Sequence, residues 1–320
     1  MENKNSDLSK IISVIEKSNN IVIAGHTNPD PDSIGSCLAM AMALNKKGKK
    51  VNVLLEDFSR KFDIIPGKNF IFKGDINILK PDLFISLDCG GIERLGNSVD
   101  LFKECENTIV IDHHISNNYF GKYNFINPNV SSASELVYKI IVNICDIDKD
   151  IASAIYAGIL VDSGGFRHKT TSSETLKIAS CLLEKDIDFS NIYNRLIKMK
   201  TYEEFSIFKK AIGKAIVLKD IPVAYTTLTF EDFKECNADN KDIGGIVEFI
   251  LNMEGIEVSI LAYQKSESET KISLRSKNID VNKIASQFGG GGHINASGVT
   301  LRKNIEDSIE DILSCLRKEF

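Results

Sequence analysis

The stretch Gly25-His26-Thr27-Asn28-Pro29-Asp30-Pro31-Asp32-Ser33 decides how this chain is read. It follows the short apolar run Ile21-Val22-Ile23-Ala24, a predicted strand, and leads into Ser33 to Lys47, a predicted helix stopped by Gly48. One imidazole and two carboxylates therefore stand at the carboxyl end of a strand, where open α/β sheets place their sites. Pro29 and Pro31 stiffen the turn and remove backbone donors. Asp30 and Asp32 are two apart, so an extended backbone points them opposite ways, toward two different metal ions. The competing reading is a helix N-cap, with Asp32 or Ser33 as the cap and His26 incidental.

Two more segments repeat the arrangement. Leu83 to Leu87 runs into Asp88-Cys89-Gly90-Gly91, and Thr108 to Ile111 runs into Asp112-His113-His114. Asp112 is placed to orient one of the rings, as metal-bound histidines require. A fourth piece is Ala157-Gly158-Ile159-Leu160-Val161-Asp162-Ser163-Gly164-Gly165-Phe166, in which Asp162 ends an apolar helix predicted from Ile151. A buried carboxylate there is unfavourable unless it meets a cation, and the helix dipole is negative at that end. The candidate ligands are His26, Asp30, Asp32, Asp88, His113 and Asp162. Imidazole and carboxylate without thiolate favour Mn²⁺ or a similar ion. Six side chains do not saturate two octahedral ions even if one carboxylate bridges them, which leaves positions for water and substrate. Two ions about 3.5–4 Å apart suit in-line phosphoryl transfer to water.

The order of elements sets the fold class. Helices are predicted at Leu8–Ile15, from the capping box Ser132-Ala133-Ser134-Glu135 through Ile144, and at Ser173–Leu183; Val51–Leu55 adds a strand. Repeated β-then-α order predicts an α/β domain, a mostly parallel sheet with helices on both faces. The pattern changes near residue 186. Phe189 to Ile212 reads as helical, with a second start at Thr201-Tyr202-Glu203-Glu204. A hairpin (Ala215–Leu218 and Val223–Leu228), two strands (Glu257–Tyr263 and Thr270–Arg275) and a helix from Ile305 follow. The expected division is 1–188 as catalytic metal-binding domain, 189–213 as helical linker, and 214–320 as a smaller α/β substrate-binding domain. The positive groups needed beside the metals are expected in the last part. Arg275-Ser276 ends a strand there. Gly289-Gly290-Gly291-Gly292-His293 can bring backbone amides close to an anion.

Composition bounds the partners. The 320 residues are 43% hydrophobic and 26% charged, which excludes a disordered chain. A net charge of −5 argues against a non-specific nucleic-acid coat. No apolar run reaches the ~18–20 residues of a membrane span. Met1 to Lys10 is polar and reads as no signal peptide. The seven cysteines show no C-x-x-C pair and read as reduced thiols, so the expected location is cytoplasmic.

Taken together these motifs resemble the DHH phosphoesterase superfamily, named for the tripeptide here at Asp112-His113-His114, and the glycine run with His293 resembles its DHHA1 domain. Two domains with no added module are similar to the stand-alone nanoRNase/pAp-phosphatase group. The resemblance implies an active site in the interdomain cleft. It implies an enzyme that cleaves short RNA oligomers (nanoRNA) to mononucleotides and converts 3′-phosphoadenosine 5′-phosphate (pAp) to AMP. By the same resemblance His26 and Asp30 hold a first Mn²⁺, Asp32, His113 and Asp162 a second, and Asp88 both. His114 contacts the scissile phosphate, with Asp112 behind it. Arg275, Ser276, Gly290, Gly291, Gly292 and His293 bind substrate. Ser163 departs from the more usual threonine but keeps a hydroxyl, and Arg167 and His168 lie in the loop beyond. The alternatives are a phosphodiesterase of cyclic or linear dinucleotides (c-di-AMP, pApA), an inorganic pyrophosphatase, which carries a different C-terminal domain, and a non-catalytic nucleotide sensor, which would lack ligands present here. Expected partners are short RNA and pAp, no membrane, and as an open option a homodimer.

Overall fold

The computed structural model describes residues 5–320; positions 1–4, the start of the stretch read as no signal peptide, lie outside them. The chain divides into two compact units, Met1–Met199 and Lys200–Phe320. The division falls inside the expected linker. That segment is helical, but its halves belong to different cores: Ile192 and Leu196 pack into the first unit, Ile207 and Ala211 into the second.

The first unit is built on five parallel strands, β1 (Asn20–Ala24), β2 (Lys50–Leu54), β3 (Leu83–Leu87), β4 (Thr108–Asp112) and β5 (Tyr123–Ile126), in the order β2-β1-β3-β4-β5. Side chains alternate between two cores, as the two-residue period of a strand requires. Ile21, Ile23, Leu83, Ile85, Ile109 and Ile111 face one core, while Val22, Ala24, Phe84 and Val110 face the other. The first core is closed by α1 (Leu8–Lys17), α2 (Pro31–Lys46), α4 (Ala133–Ile141), α5 (Lys149–Asp162), α6 (Ser173–Leu183) and α7 (Phe189–Tyr193). The second is closed by α3 (Val99–Glu104) and short 3₁₀ turns at 76–78 and 92–98, while those at 60–64 and 68–70 pack on the first core. Helices thus cover both faces, very unequally. Where α2 crosses α5, a Cβ on Gly35 would lie 2.4 Å from the Ala154 carbonyl oxygen, so only glycine permits the approach. The helix opened by Ser132 stops at Ile141, short of Ile144. Its expected capping box is half formed: Ser132 Oγ accepts from Glu135 N, but the Glu135 carboxylate turns instead to Ser131 and Thr175.

The second unit is a mixed six-stranded sheet, with β6 (Ile216–Val217), β7 (Val223–Leu228), β8 (Val258–Ser266), β9 (Glu269–Ser276), β10 (Gly291–His293) and β11 (Ala296–Leu301) in the order β10-β11-β9-β8-β7-β6. Only the β7–β8 pair is parallel. One face packs on α11 (Val281–Gln287) and α12 (Ile305–Leu316), the other on α8 (Tyr202–Gly213), α9 (Phe230–Cys236) and α10 (Ile246–Leu251). The start signal at Thr201 is a complete capping box with Glu204. Among the described residues, no helix is long and apolar enough to cross a membrane.

Candidate metal centre

The loop after β1 does two jobs at once. Asp30 is the N-cap of α2, its Oδ1 accepting from the amides of Asp32 and Ser33 at 2.9 and 3.1 Å. Its other oxygen, Oδ2, stands 3.6 Å from His26 Nε2. The cap is therefore Asp30, and not Asp32 or Ser33. Asp32 points away into the protein and is 1% exposed. Its two oxygens accept from Ala133 N (2.7 Å) and Ser134 N (2.9 Å) in the first turn of α4. This seat exists because residue 158 is glycine: a Cβ there would lie 2.0 Å from Ser134 Oγ and 2.7 Å from Asp32 Oδ1. Gly158 is four residues before Asp162, hence on the same face of α5. The spacing was a usable signal that the reading of the sequence passed over.

His26 Nδ1 pairs with the Thr27 carbonyl at 2.8 Å, which aims Nε2 inward. Asp88 follows β3 with a left-handed backbone, φ 59°, a conformation aspartate tolerates better than most residues. Its Oδ2 lies 3.5 Å from His26 Nε2 and its Oδ1 lies 3.5 Å from His113 Nε2. His113 Nε2 also approaches Asp162 Oδ2 at 3.2 Å. All six candidates thus come together as two ligand groups, His26–Asp30–Asp88 and Asp32–His113–Asp162. Asp88 is the member that touches both.

Asp112 is fully buried and orients His114 rather than a ligand ring. Its Oδ1 accepts from His114 Nδ1 (2.7 Å) and from His113 N (2.8 Å), and its Oδ2 accepts from Asn117 Nδ2 (2.6 Å). Asn117, not foreseen, is held in turn by donating to the Cys89 carbonyl and accepting from Tyr119 N. Beyond Asp162, His168 Nδ1 pairs with the Asp162 carbonyl at 3.0 Å and Arg167 Nε donates to Gly164 O at 2.8 Å, so both brace the end of α5.

The charges in this cluster do not balance within the protein. Among the described residues no lysine or arginine pairs with Asp30, Asp32, Asp88 or Asp162. Burial works against a charged ring, yet Asp30 and Asp88 push His26 up to about 10. The same contest, with Asp88, Asp32 and Asp162 outweighing burial, pushes His113 up to about 10. Burial and neighbouring carboxylates raise Asp32, and they raise Asp162 to about 6. The cluster holds protons where cations are lacking. Asp88 Oδ1 is buried and accepts no hydrogen bond, an orphaned acceptor at the point where the two groups meet. Orphaned carboxylate oxygen, imidazole nitrogen and missing countercharge all fit divalent cations.

The residues expected in the second unit are placed less uniformly. Pairing sets His293 opposite Ala296, Ala296 opposite Arg275, and Arg275 opposite Ser259, so His293 and Arg275 share one sheet face. Arg275 Nε donates to Glu248 Oε1 of α10 at 2.8 Å, an engagement the sequence did not announce. Ser276 points to the opposite face. It is 5% exposed, and its hydroxyl donates to the Ile279 carbonyl, bracing its own turn. Three of the four glycines answer to the backbone. Gly289 and Gly292 have φ 78° and 150°, and a Cβ on Gly290 would lie 2.4 Å from Gly298 O. Gly291 has neither a positive φ nor a close neighbour, Asn282 Oδ1 lying 3.9 Å from where its Cβ would be.

Comparison with known proteins adds to this geometry. Residues 20–159 match the N-terminal domain of the DHH family, and residues 220–320 match the DHHA1 domain. The chain belongs to the DHH family. With that membership it is a metal-dependent phosphoesterase. It is 28% identical over 306 residues to the bifunctional oligoribonuclease and PAP phosphatase NrnA of Thermus thermophilus, covering 94% of this chain and 90% of that protein. A probable protein of the same name from Streptococcus mutans is 25% identical over 324 residues, covering 96% and 98%. Among solved structures, an exopolyphosphatase-related protein from Bacteroides fragilis is 29% identical with a TM-score of 0.88, covering 97% of this chain and 95% of that one.

Proposed function

We propose that this DHH protein is a Mn²⁺-dependent enzyme that hydrolyses short oligoribonucleotides to mononucleotides and removes the 3′-phosphate of pAp. The observation that carries the reading is the meeting of two candidate ligand groups at Asp88, whose buried Oδ1 accepts no hydrogen bond. His26, Asp30 and Asp88 would hold one ion; Asp32, His113, Asp162 and again Asp88 the other. When bound, such ions activate water and neutralise charge on a phosphoryl oxygen. The chain supplies the rest. Asp112 fixes His114 through Nδ1, which leaves Nε2 for a phosphoester oxygen, as proton donor or charge stabiliser. Asp112 also keeps His114 above its ordinary pKa, against the effect of burial. Arg275 and His293 are proposed to hold a distal sugar or, in longer oligomers, a further phosphate, and Gly291 to let it approach. The substrate class is supported by what the relatives are named for. A cytoplasmic location is proposed from the seven free cysteines.

The test is turnover of an RNA dimer, an RNA 10-mer, pAp, pApA, c-di-AMP, pyrophosphate and polyphosphate side by side. Chelated protein should be inactive and recover best with Mn²⁺, with the RNA dimer and pAp preferred. Full activity after exhaustive metal removal sinks the metal assignment. Turnover confined to pyrophosphate, polyphosphate or cyclic dinucleotide sinks the substrate class.

A further inference from the structure

The first unit carries a second recess beside the metal cluster, and the proposed chemistry leaves it unused. It is a cavity of ≈ 300 Å³ lined by Gly90, Gly91, Glu93, Arg94, His114, Ser116 and Asn118. We infer that this cavity is a sugar-phosphate subsite, in which Arg94 takes the non-reacting phosphate of the substrate. The inference rests on the function proposed above and adds to it a residue that selects among substrates.

Four observations point there. First, the cavity shares a wall with His114, so a ligand in it is continuous with the reacting centre. Second, no apolar side chain lines it, which disfavours a stacked base and favours hydroxyl and phosphate oxygens. Third, the side chains of Arg94, Ser116 and Asn118 make no hydrogen bond or ion pair among the described residues, whereas Asn117 between the last two is fully bonded. Unspent donors converging on one recess are what a phosphate needs, and guanidinium is the group that grips it with two parallel bonds. Fourth, the loop is anchored. Arg94 N donates to Gly91 O at 3.1 Å, and Arg94 O accepts from Thr27 N at 2.8 Å, which ties it to the loop that carries His26.

Glu93 narrows the ligand. Its carboxylate lies against Gly91, so a Cβ on Gly91 would be 2.2 Å from Glu93 Oε1. A bare inorganic anion would meet that carboxylate and be repelled. A phosphorylated ribose brings hydroxyl donors for Glu93 along with a phosphate for Arg94. Gly90 keeps the recess open, since a Cβ there would come within 3.4 Å of both His114 Cβ and Ser116 Oγ.

The experiment pairs substrates that differ by one phosphate: pAp against 3′-AMP, and pApA against ApA. Each is assayed with Mn²⁺ on the full chain, wild type and Arg94→Gln. Arg94→Gln should raise KM for pAp and pApA about ten- to hundredfold, the size of a lost charge-assisted contact, and leave 3′-AMP and ApA unchanged. Arg94→Lys should recover part of the loss. Asn118→Asp, which adds negative charge to the same recess, should reproduce the selective rise if Arg94→Gln fails to fold. An equal effect on both members of each pair, or none, overturns the inference. If the wild type turns over none of the four, the proposed function falls. The subsite is then read by equilibrium binding of pAp: at least tenfold weaker binding to Arg94→Gln supports it, and equal binding or no wild-type binding overturns it.

Discussion

At Asp88 the backbone turns left-handed and the side chain places one oxygen near each ligand group. Asp88→Asn keeps the shape and removes the charge. We expect turnover to fall further than the ~10–100-fold typical when an outer partner of a ligand is lost. The metal-free variant should melt no lower than wild type, because one of four crowded carboxylates has been neutralised. It should also lose most of the stabilisation that Mn²⁺ gives the wild type, about 2.7 kcal/mol at a hundredfold excess over Kd. Thermal scans with and without Mn²⁺, beside turnover, check both points. Asp112→Asn should behave differently: metal content near wild type, with turnover down ~10–100-fold because the ring of His114 loses its charged anchor. Loss of bound metal in that variant would place Asp112 among the ligands. The candidate ligands were legible because each stands at or soon after the end of an apolar run. The division of labour inside Asp30-Pro31-Asp32 was not, since it depends on where α4 begins, a hundred residues later in the fold. Likewise nothing in Asp112-His113-His114 says which ring the aspartate holds.

Elements show where short-range pattern runs out. β1, β3 and β4 were readable as bounded apolar runs, and Thr201 as a capping box. β5 is four residues of mixed character, and α9 and α10 are seven and six residues long, too short to display a helical period. The cover over the second sheet face is mostly 3₁₀ turns, which have no amphipathic signature. Packing between elements supplies two tests. Gly158→Ala gains up to about 1 kcal/mol of helix propensity. The added methyl meets a carboxylate pinned by two amides, and overpacking of about 1–3 kcal/mol wins. A lower melting temperature together with reduced turnover is expected; a stabilised, active variant would mean that Asp32 has room to move. The second concerns α9, where Asp232 caps with Thr229 and pairs with Lys214 and Lys210. Burial would raise its pKa, but Lys214 and Thr229 hold it below the ordinary range. Because the folded value lies below the unfolded ~3.9, this contribution is present above that value and is lost as pH falls through the folded one. Asp232→Asn should therefore cost about 1–3 kcal/mol at pH 7. The difference from wild type should shrink as pH falls below the unfolded value of ~3.9 in denaturant titrations. A gap that persists unchanged at low pH would assign the effect to shape instead.

The whole chain is two units with separate cores, and the boundary between them has a measurable position. A fragment cut after Met199 retains Ile192 and Leu196, which are 4% and 6% exposed in the first core; a fragment cut at 188 loses both. The 1–199 fragment should melt cooperatively and bind Mn²⁺, and the 1–188 fragment should be less stable by several kcal/mol, the usual size for two deleted core aliphatics at about 2–5 each. Equal melting of the two would show that α7 and the turn after it only rest on the core. If Arg275 and His293 hold substrate as proposed, both fragments should hydrolyse an RNA dimer poorly. The first candidate ligand is His26 and the last is Asp162, with β2, β3, β4 and α4 between them. No shorter piece of chain contains both complete groups together with the turn of α4 that seats Asp32. On a ribosome, where the amino-terminal part emerges first, a half-made chain has the histidines and carboxylates but not their arrangement. Under the proposed function, hydrolysis of short RNA therefore cannot begin until Asp162 has been made and the sheet that carries the other candidate ligands has formed.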